Sequence, residues 1–366
     1  MADSKIIVAR RKKIGKNIFL IYSERTNNGW KDIGRYKIFD LPADMPATMD
    51  KLDLSRLNWE EMPDLSSLTV KDFDCSYNKL SKLENCPKVT GHLNCSCNPN
   101  LTGFDCAAQH VGTLICMCCK SLETLTGAPT ADNYIIAENK SLKNLNGMAL
   151  VADEIVCKHN ESLINLTGIS EHIDTLVVEN NPALIGLNCT CTTVKRFVLT
   201  ENNALQSLND GPKSVQQYII CNNAALISLY GAPPTVEEIV IENNPIYNLV
   251  GGPSSAAIYN LSHNPNLTSL MGCAPDVKEF IMQHCDAIET LEYAPPNAIR
   301  YICNHNLNLR SLGQIPPDPN LIDYSDCPSI MGVPRQKSRM ERHEELRQAY
   351  ENRDWAYILG YYGHNK

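Results

Sequence analysis

The sequence predicts an α/β-type solenoid with one long parallel sheet, few helices and a mostly extended second side. Three observations predict it: a period of 20 or 21 residues, two apolar residues spaced two apart in each period, and leucines followed by a Gly or Pro turn. Residues two apart on a strand point to the same face, so the apolar pair marks the buried face of one strand per period. A 366-residue chain of this kind is one linear array rather than several globular domains.

Each period is centred on a small polar or thiol residue, here called the anchor, from which other positions are numbered. The stretch 174–187, DTLVVENNPALIGL, has Leu176 at −5, Val178 at −3, the anchor Asn181, and Leu184 and Leu187 at +3 and +6. Steps of 20 or 21 residues connect the anchors Leu57, Asn78, Asn98, Cys119, Asn139, Asn160, Asn181, Asn202, Asn223, Asn244, Asn264, Cys285, Asn306 and Cys327. Stacked Asn side chains carry both a donor and an acceptor, so they can satisfy backbone groups where each strand ends.

This spacing resembles the leucine-rich repeat, whose core reads L-x-x-L-x-L-x-x-N/C-x-L. The resemblance covers residues 49–333, about 14 repeats, and the short period is most similar to the bacterial-type, phage and large-virus subclass. It implies that positions −4 and −2 point out of a concave sheet. Most copies place two residues between the anchor and the next leucine, where the family has one, and such short repeats favour extended or 3₁₀ segments on the convex side.

We expect a cap at each end of the array. Residues 1–48 are predicted to form an N-terminal β-hairpin cap, with strands at 17–22 and 33–39 covering the edge of the first repeat. Residues 334–366 are predicted to form a helical cap and an aromatic tail. The helix is expected over 336–352, with its apolar flank formed by Met340, Leu346, Ala349 and Tyr350.

Charge and composition narrow the function classes. A formal net charge of −8 argues against general nucleic-acid binding, and no apolar run is long enough to span a bilayer. The N-terminus lacks the pattern of a signal peptide, so we expect a cytoplasmic, reducing environment. The basic run at 10–16 fits a solvated face of the cap, a contact with an acidic partner or a nuclear-import signal.

The repeat frame explains half of the 16 cysteines, which lie at the anchor or at −3. Cys97 and Cys118 occupy equivalent positions of adjacent repeats, so metal binding by the cluster 95–119 stays open, although its spacing differs from paired C-x-x-C knuckles. No nucleophile, P-loop or metalloprotease motif is present. We therefore expect no catalytic residues, no resident metal and no cofactor.

Position −4 carries the most informative pattern, because the core does not dictate it. In a run of ten consecutive repeats this position is β-branched and apolar in all but one, where it is Asn260. We call these residues the apolar row: Ile115, Ile135, Val156, Val177, Val198, Ile219, Val240, Ile281 and Ile302. Parallel strands favour Val and Ile in any case, yet a continuous apolar row on an outward face is typical of an interface.

Polar residues at −2 and −1 flank the apolar row, as expected at the rim of a protein contact. Acids concentrate in the middle repeats, as Glu179, Glu201 and Glu242, and suggest a basic contact there. Histidines gather towards the end, at 263, 284 and 305, and suggest pH sensitivity. The tail residues Trp355 and Tyr357 either pack on the cap or dock on another chain.

The sequence thus favours a non-enzymatic scaffold that binds a protein partner through the apolar row. Two alternatives stay open. The chain is a structural component of a larger assembly, such as a virus particle, which uses the apolar row and the aromatic tail as subunit contacts; or it is an effector that sequesters a host regulatory protein.

Overall fold

The computed structural model describes residues 5–14, 17–37, 41–42, 45–106, 109–316, 318 and 320–351; at 13–14, 17–19, 35–37, 339 and 350–351 it describes the backbone alone. The chain divides into two compact units. Unit 1 comprises Met1–Leu226 and Tyr230–Val236, and unit 2 comprises Ile227–Leu229 and Glu237–Lys366. Each unit is a parallel β-solenoid with turns of about 21 residues, as the period of the sequence predicts.

Unit 1 begins with three antiparallel strands, β1 (Ile6–Ile14), β2 (Asn17–Thr26) and β3 (Gly29–Lys37). β2 and β3 form a hairpin, and β1 joins it to the solenoid by pairing in parallel with β4 (Thr48–Asp53). The first solenoid strand is therefore covered by β1, for which the sequence predicted no strand. Arg10, in the basic run on β1, forms an ion pair with Asp32 at 2.9 Å.

The remaining strands of unit 1 are β5 (Thr69–Asp74), β6 (Lys82–Leu83), β7 (Lys88–Val89), β8 (His92–Asn94), β9 (Gly103–Phe104), β10 (His110–Met117), β11 (Thr130–Ala137), β12 (Val151–Lys158), β13 (His172–Glu179), β14 (Thr193–Thr200) and β15 (Ser214–Cys221). β4, β5, β8 and β10 to β14 pair in parallel, each with the strand one turn later, so that the series ends at β15. β7 also pairs with β5, while β6 and β9 form a separate short pair.

β16 (Thr235–Glu242) has its first two residues in unit 1 and the rest in unit 2. Unit 2 continues with β17 (Ser255–Asn260), β18 (Asp276–Ile281), β19 (Arg300–Ile302), β20 (Ile322–Asp323) and the helix α1 (Arg339–Glu351). β17 to β20 pair in parallel in chain order. α1 is the one helix among the described residues, and it is too short and too polar to span a membrane.

The core of each unit lies between the sheet and the leucine segments. In the turn anchored by Asn181, the side chains at −5, −3, +3 and +6 are all fully buried. Each such side chain contributes roughly 1.5–3 kcal/mol by leaving water, so the repeated pattern provides most of the stability. Among the described residues, the segments behind the sheet consist mostly of turns, bends and irregular chain and contain no 3₁₀-helix, so the expected 3₁₀ segments are not found.

The anchors form the hydrogen-bonded ladder that the sequence predicts. The Asn181 Oδ1 accepts from the Asn160 N–H at 3.0 Å, and the Asn181 Nδ2 donates to the Cys157 carbonyl of the preceding turn at 3.1 Å. The same two bonds recur at Asn202. Where Cys replaces Asn, the thiol takes over the second bond, as the Cys285 Sγ donates to the Leu261 carbonyl at 3.1 Å.

The last strand is closed by a side chain instead of another strand. The Gln336 Oε1 accepts from the Tyr324 N–H at 2.8 Å, and the Gln336 Nε2 donates to the Ile322 carbonyl at 2.9 Å. Gln336 therefore satisfies the free edge of β20, which would otherwise expose unpaired backbone groups. α1 follows, and its first turn is capped reciprocally by Ser338 and Glu341.

The predicted apolar flank of α1 is partly wrong. Leu346 and Ala349 are buried together, whereas Met340 is 83% exposed. Six residues separate Met340 from Leu346, which places the two side chains about 120° apart around a helix. The side chain of Tyr350, together with Trp355 and Tyr357 of the aromatic tail, lies outside the described residues.

Candidate protein-interaction surface

In unit 1 the apolar row is in register along the outer face of the sheet. Ile115 pairs with Ile135, and the pairing continues from strand to strand through Val156, Val177, Val198 and Ile219. Neighbouring strands lie ~4.8 Å apart, so these side chains touch along the row. All of them are half-buried, because each branched side chain covers part of the next. The row is therefore a shallow apolar ribbon with no protruding side chain.

In unit 2 the apolar row is shorter. Ile281 pairs with Ile302, but Asn260 occupies the same register next to Ile281 and interrupts the row after Val240. The continuous part of the row thus belongs to unit 1, which carries the candidate surface.

The row ends where position −4 becomes Asp or Asn. At all five such positions the side-chain Oδ1 accepts the N–H of a serine at −2, at 2.9–3.1 Å. These pairs are Asp53–Ser55, Asp74–Ser76, Asn94–Ser96, Asn260–Ser262 and Asp323–Ser325. The strand then ends at −4, whereas β10 to β16, which carry Ile or Val at −4, continue to −2; in unit 2, β18 and β19 carry Ile at −4 and also end there. The sequence showed these acids and amides but not their coupling to serine, although the spacing D/N-x-S is visible in it.

The acidic rim is less free than the sequence suggested. Glu179 forms an ion pair with Lys158 on the adjacent strand, and the two side chains are only 28% and 33% exposed. Glu201 is exposed in unit 1, while in unit 2 the Glu242 Oε1 accepts from the Asn260 Nδ2 at 3.0 Å. Of the three predicted acids, Glu201 is therefore the exposed one beside the row in unit 1, because Lys158 neutralises Glu179.

Position −1 has a conformation that the sequence did not predict. Its residue is left-handed in every turn, with φ between 50° and 61° from Arg56 through Asp326, and none is glycine. Asn and Asp tolerate this region better than most residues, and β-branched residues tolerate it worst. The backbone conformation thus explains why no Val, Ile or Thr occurs here, directly after a strand rich in them.

In unit 1 the side chains at −1 contact one another along the solenoid. The Arg56 guanidinium lies 4.1 Å from the centre of the Tyr77 ring, and the Cys118 Sγ donates to Glu138 Oε2 at 3.2 Å. Partial burial and then this hydrogen bond raise the pKa of Cys118 to about 12, so its thiol stays protonated at neutral pH.

A cleft of about 470 Å³ runs beside this line of side chains in unit 1. It is lined alternately by residues at −1 and +1, which are Cys118, Glu138, His159, Asn180, Lys120, Lys140, Glu161 and Pro182. Lys140 pairs with Glu161 at 2.7 Å, so opposite charges are matched within the lining. Such a lining offers donors and acceptors next to the apolar row without a strong net charge.

In unit 2 the predicted histidines form a stacked column. The rings of His263 and His284 are 4.8 Å apart, those of His284 and His305 are 5.0 Å apart, and His305 Nε2 lies 3.4 Å from Asp326 Oδ2. Burial, followed by the charges of the two neighbouring rings, lowers the pKa of His284. Burial and the two outer rings therefore oppose protonation of His284, the central ring of the column.

Exposed apolar side chains also lie away from the apolar row, at positions that the sequence did not predict as contacts. In unit 1, Ile164 and Ile185 are 46% and 60% exposed at +4 of successive turns, where the Ile185 N–H donates to the Ile164 carbonyl. In unit 2, Ile227 and Tyr247 occupy the matching places and are 56% and 52% exposed. Their sequence signal is an apolar residue directly after the buried leucine.

The cysteines of the described residues all have free thiols. Within the described part of the chain, no group of three or more His, Cys, Asp or Glu residues is arranged to hold a metal ion. Comparison of the chain with protein-family models, with curated proteins and with solved structures gave no match.

Proposed function

We propose that this chain is a non-enzymatic scaffold of the leucine-rich-repeat type, with short repeats, which binds a protein partner along the apolar row of unit 1. The observation that carries the proposal is the in-register row from Ile115 to Ile219 on the outer face of the sheet. Other turns of unit 1 carry Asp or Asn at −4 and Ser at −2, where the turns of the row carry Ile or Val at −4. The solenoid therefore folds without an apolar residue at −4.

The surroundings of the row have the composition of a binding site. A half-buried apolar centre lies beside a cleft whose lining matches opposite charges, and exposed Glu201 lies at the rim. Interfaces commonly combine an apolar centre with a polar rim that fixes the orientation of the partner. A partner with an extended apolar segment and a few flanking basic groups fits this arrangement.

The test exchanges part of the row for the polar strand ending that the protein itself uses. The variant Val198→Asn, Thr200→Ser, Ile219→Asn, Cys221→Ser creates two such endings without changing the net charge. Its matched control, Ile164→Asn with Ile185→Asn, makes the same apolar-to-amide change on the exposed +4 residues. Affinity capture from a cell lysate with the wild-type chain and both variants, followed by mass spectrometry, compares the bound proteins.

We expect a partner that the wild type and the control retain and the row variant loses, while all three keep the same circular dichroism spectrum. An identical set of bound proteins for the wild type and the folded row variant contradicts the proposal.

A second candidate function, as a subunit of a larger assembly, is favoured by the exposure of Ile164 and Ile185. Apolar residues that are about half-exposed in successive turns are suited to a contact between copies of the chain. Light scattering over a range of concentrations tests it. Association that the Ile164→Asn, Ile185→Asn variant abolishes supports this candidate, and a wild type that stays monomeric excludes self-assembly.

A further inference from the structure

One turn of unit 1 carries two closely spaced cysteines at the point where the chain reverses after the second leucine. In four turns of unit 1 the second residue after this leucine is a left-handed glycine, with φ of 82° at Gly127, 114° at Gly147, 85° at Gly168 and 97° at Gly231. No side chain fits there, since a Cβ on Gly168 would lie 2.4 Å from the Asn146 Cα. Glycine is therefore required by the geometry of these turns.

The turn after Leu187 carries Cys189 at this place and Cys191 two residues later. Here the left-handed residue is Asn188, with φ of 39°, one position earlier than the glycines. The shift moves the strained conformation to an Asn, which tolerates it, and leaves room for a side chain at 189. Glycine serves this position in the flanking turn at 168, so the reversal itself does not need a cysteine.

The two thiols are in direct contact. The Cys189 and Cys191 sulfur atoms are 2.7 Å apart, Cys189 is half-exposed, and Cys191 is 2% exposed. The loop that holds them is fixed on both sides. The Cys189 N–H donates to the Asp210 carbonyl of the next turn at 2.9 Å, and the Thr190 hydroxyl donates to the Ile169 carbonyl of the preceding turn at 3.1 Å.

The hydrogen bond from Cys191 lowers the pKa of Cys189, whereas the same contact and burial raise that of Cys191. The accessible sulfur is thus the easier one to ionise, and the buried sulfur is its proton-donating partner. Such a difference within a pair of thiols is the arrangement in which one attacks and the other resolves.

A third group near the pair is the Tyr218 hydroxyl. Tyr218 is 1% exposed, and its hydroxyl finds no hydrogen-bond partner among the described residues. Burial, followed by the two neighbouring thiols, raises its pKa, so it remains a proton donor. A buried donor without an acceptor is unfavourable unless a charged or polar atom comes within its reach.

We propose that Cys189 and Cys191 form a thiol–disulfide exchange site whose substrates are small-molecule disulfides. The Cys189 thiolate attacks one sulfur of the substrate, forms a mixed disulfide and releases one thiolate, which takes up a proton. Cys191 then loses its proton to solvent and attacks the Cys189 sulfur, which closes the Cys189–Cys191 disulfide and releases the second small thiol. Two protein thiols are oxidised and one substrate disulfide is reduced to two thiols. Closing the bond to ~2.05 Å requires a movement of less than about 1 Å.

Unit 2 contains a matched control for this site. Cys273 is half-exposed in the corresponding turn, directly after the left-handed Gly272. It has no second thiol beside it in sequence, and burial raises its pKa to about 12. Cys273 tests whether exposure of a turn cysteine alone is sufficient for reaction.

The experiment treats the native full-length chain with oxidised glutathione, alkylates the remaining free thiols and maps the peptides after trypsin digestion. The tryptic peptide 159–195 contains Cys189 and Cys191 and no other cysteine, so its mass reports on this pair alone. We expect the wild-type peptide to lose both free thiols as an internal disulfide, while Cys273, located by fragmentation of the peptide 214–278 that also contains Cys221, stays alkylated.

Two variants separate the steps. Cys191→Ser should accumulate glutathione on Cys189, because the resolving thiol is absent, and Cys189→Ser should leave Cys191 unmodified, because Cys191 is buried. Tyr218→Phe should slow the reaction of the wild-type pair without changing its product. Free thiols at both positions of the wild type after treatment overturn the proposal, as does modification of Cys273 at the same rate; both readings come from the wild-type chain and need no variant to fold.

Discussion

At the scale of single residues, the anchors show how a buried polar side chain can specify a fold. Asn181 is fully buried, yet both its acceptor and its donor are used, the first by the Asn160 N–H and the second by the Cys157 carbonyl. A buried polar group costs little when it is fully paired and much when it is not. The anchor therefore fixes the stacking of consecutive turns more strictly than an apolar residue would.

Asn181→Ala should destabilise unit 1 by roughly 2–5 kcal/mol, because one buried N–H and one buried carbonyl lose their partners. Asn181→Cys should cost less, since a thiol at the anchor still donates to the preceding turn, as Cys285 does. Chemical denaturation followed by circular dichroism measures both. The exposed Asn209→Ala is the control and should change the unfolding free energy by less than about 0.5 kcal/mol. Equal stability of the Ala and Cys variants would contradict this role of the anchor.

At the scale of elements, each terminal strand needs its free edge covered, and the two units show different means. β1 covers β4 by strand pairing, whereas Gln336 covers β20 with one side chain. The sequence could not predict β1 because its basic run has low strand propensity; the pairing of β1 with both β2 and β4 overrides that preference. Gln336 was unpredictable for another reason, since its role depends on where the chain leaves the last turn.

Gln336→Ala should loosen the last turn of unit 2. The Tyr324 N–H loses its acceptor and the Ile322 carbonyl its donor, and at ~1 kcal/mol per lost bond the hydrogen exchange of Tyr324 should accelerate roughly fivefold to thirtyfold. Exchange measured by mass spectrometry on peptides covering 320–328 reports it. Ser338→Ala, which removes only the cap of α1, should leave that exchange unchanged; acceleration by both variants to the same extent would show that the helix, not the Gln side chain, protects β20.

At the scale of the whole molecule, each unit is stabilised by contacts between consecutive turns, and these contacts repeat. The ladder bonds at Asn160, Asn181 and Asn202 differ by no more than 0.1 Å between equivalent atoms. Stability in such arrays is close to a sum over turns and their interfaces. Removing one complete turn should therefore be tolerated if the register of the others is kept.

Deletion of residues 140–160, one period of unit 1, joins Asn139 to the segment that follows the next anchor and keeps every position in frame. We expect this variant to fold and to unfold cooperatively, with a lower denaturant dependence because less surface is buried. Deletion of 141–150 shortens the chain by less but breaks the frame, and it should not fold. Folding of both variants, followed by circular dichroism and urea denaturation, would argue against register as the organising constraint.

The same periodicity determined how much was predictable from the sequence. The anchors and the buried pairs could be predicted from the sequence, because each position repeats in many copies and is either inside or outside the core. Local departures from the repeat could not be predicted in this way. In the turn of Asn181 the left-handed residue is Asn188 instead of the residue at 189, and the serine partners at −2 act only when −4 is Asp or Asn. Both depend on local hydrogen bonds and backbone conformation, which hydrophobic periodicity does not report.

The two kinds of strand ending in unit 1 have an evolutionary consequence. Conversion of one turn from Val or Ile at −4 to Asn, with Ser at −2, takes two amino-acid substitutions and leaves the buried residues of that turn unchanged. Selection can therefore lengthen or shorten the apolar row by ~4.8 Å per turn, while the buried residues that fold the repeat stay unchanged. Under the proposed function, substitutions at these two positions of a turn would change the length of the partner segment that the row can bind.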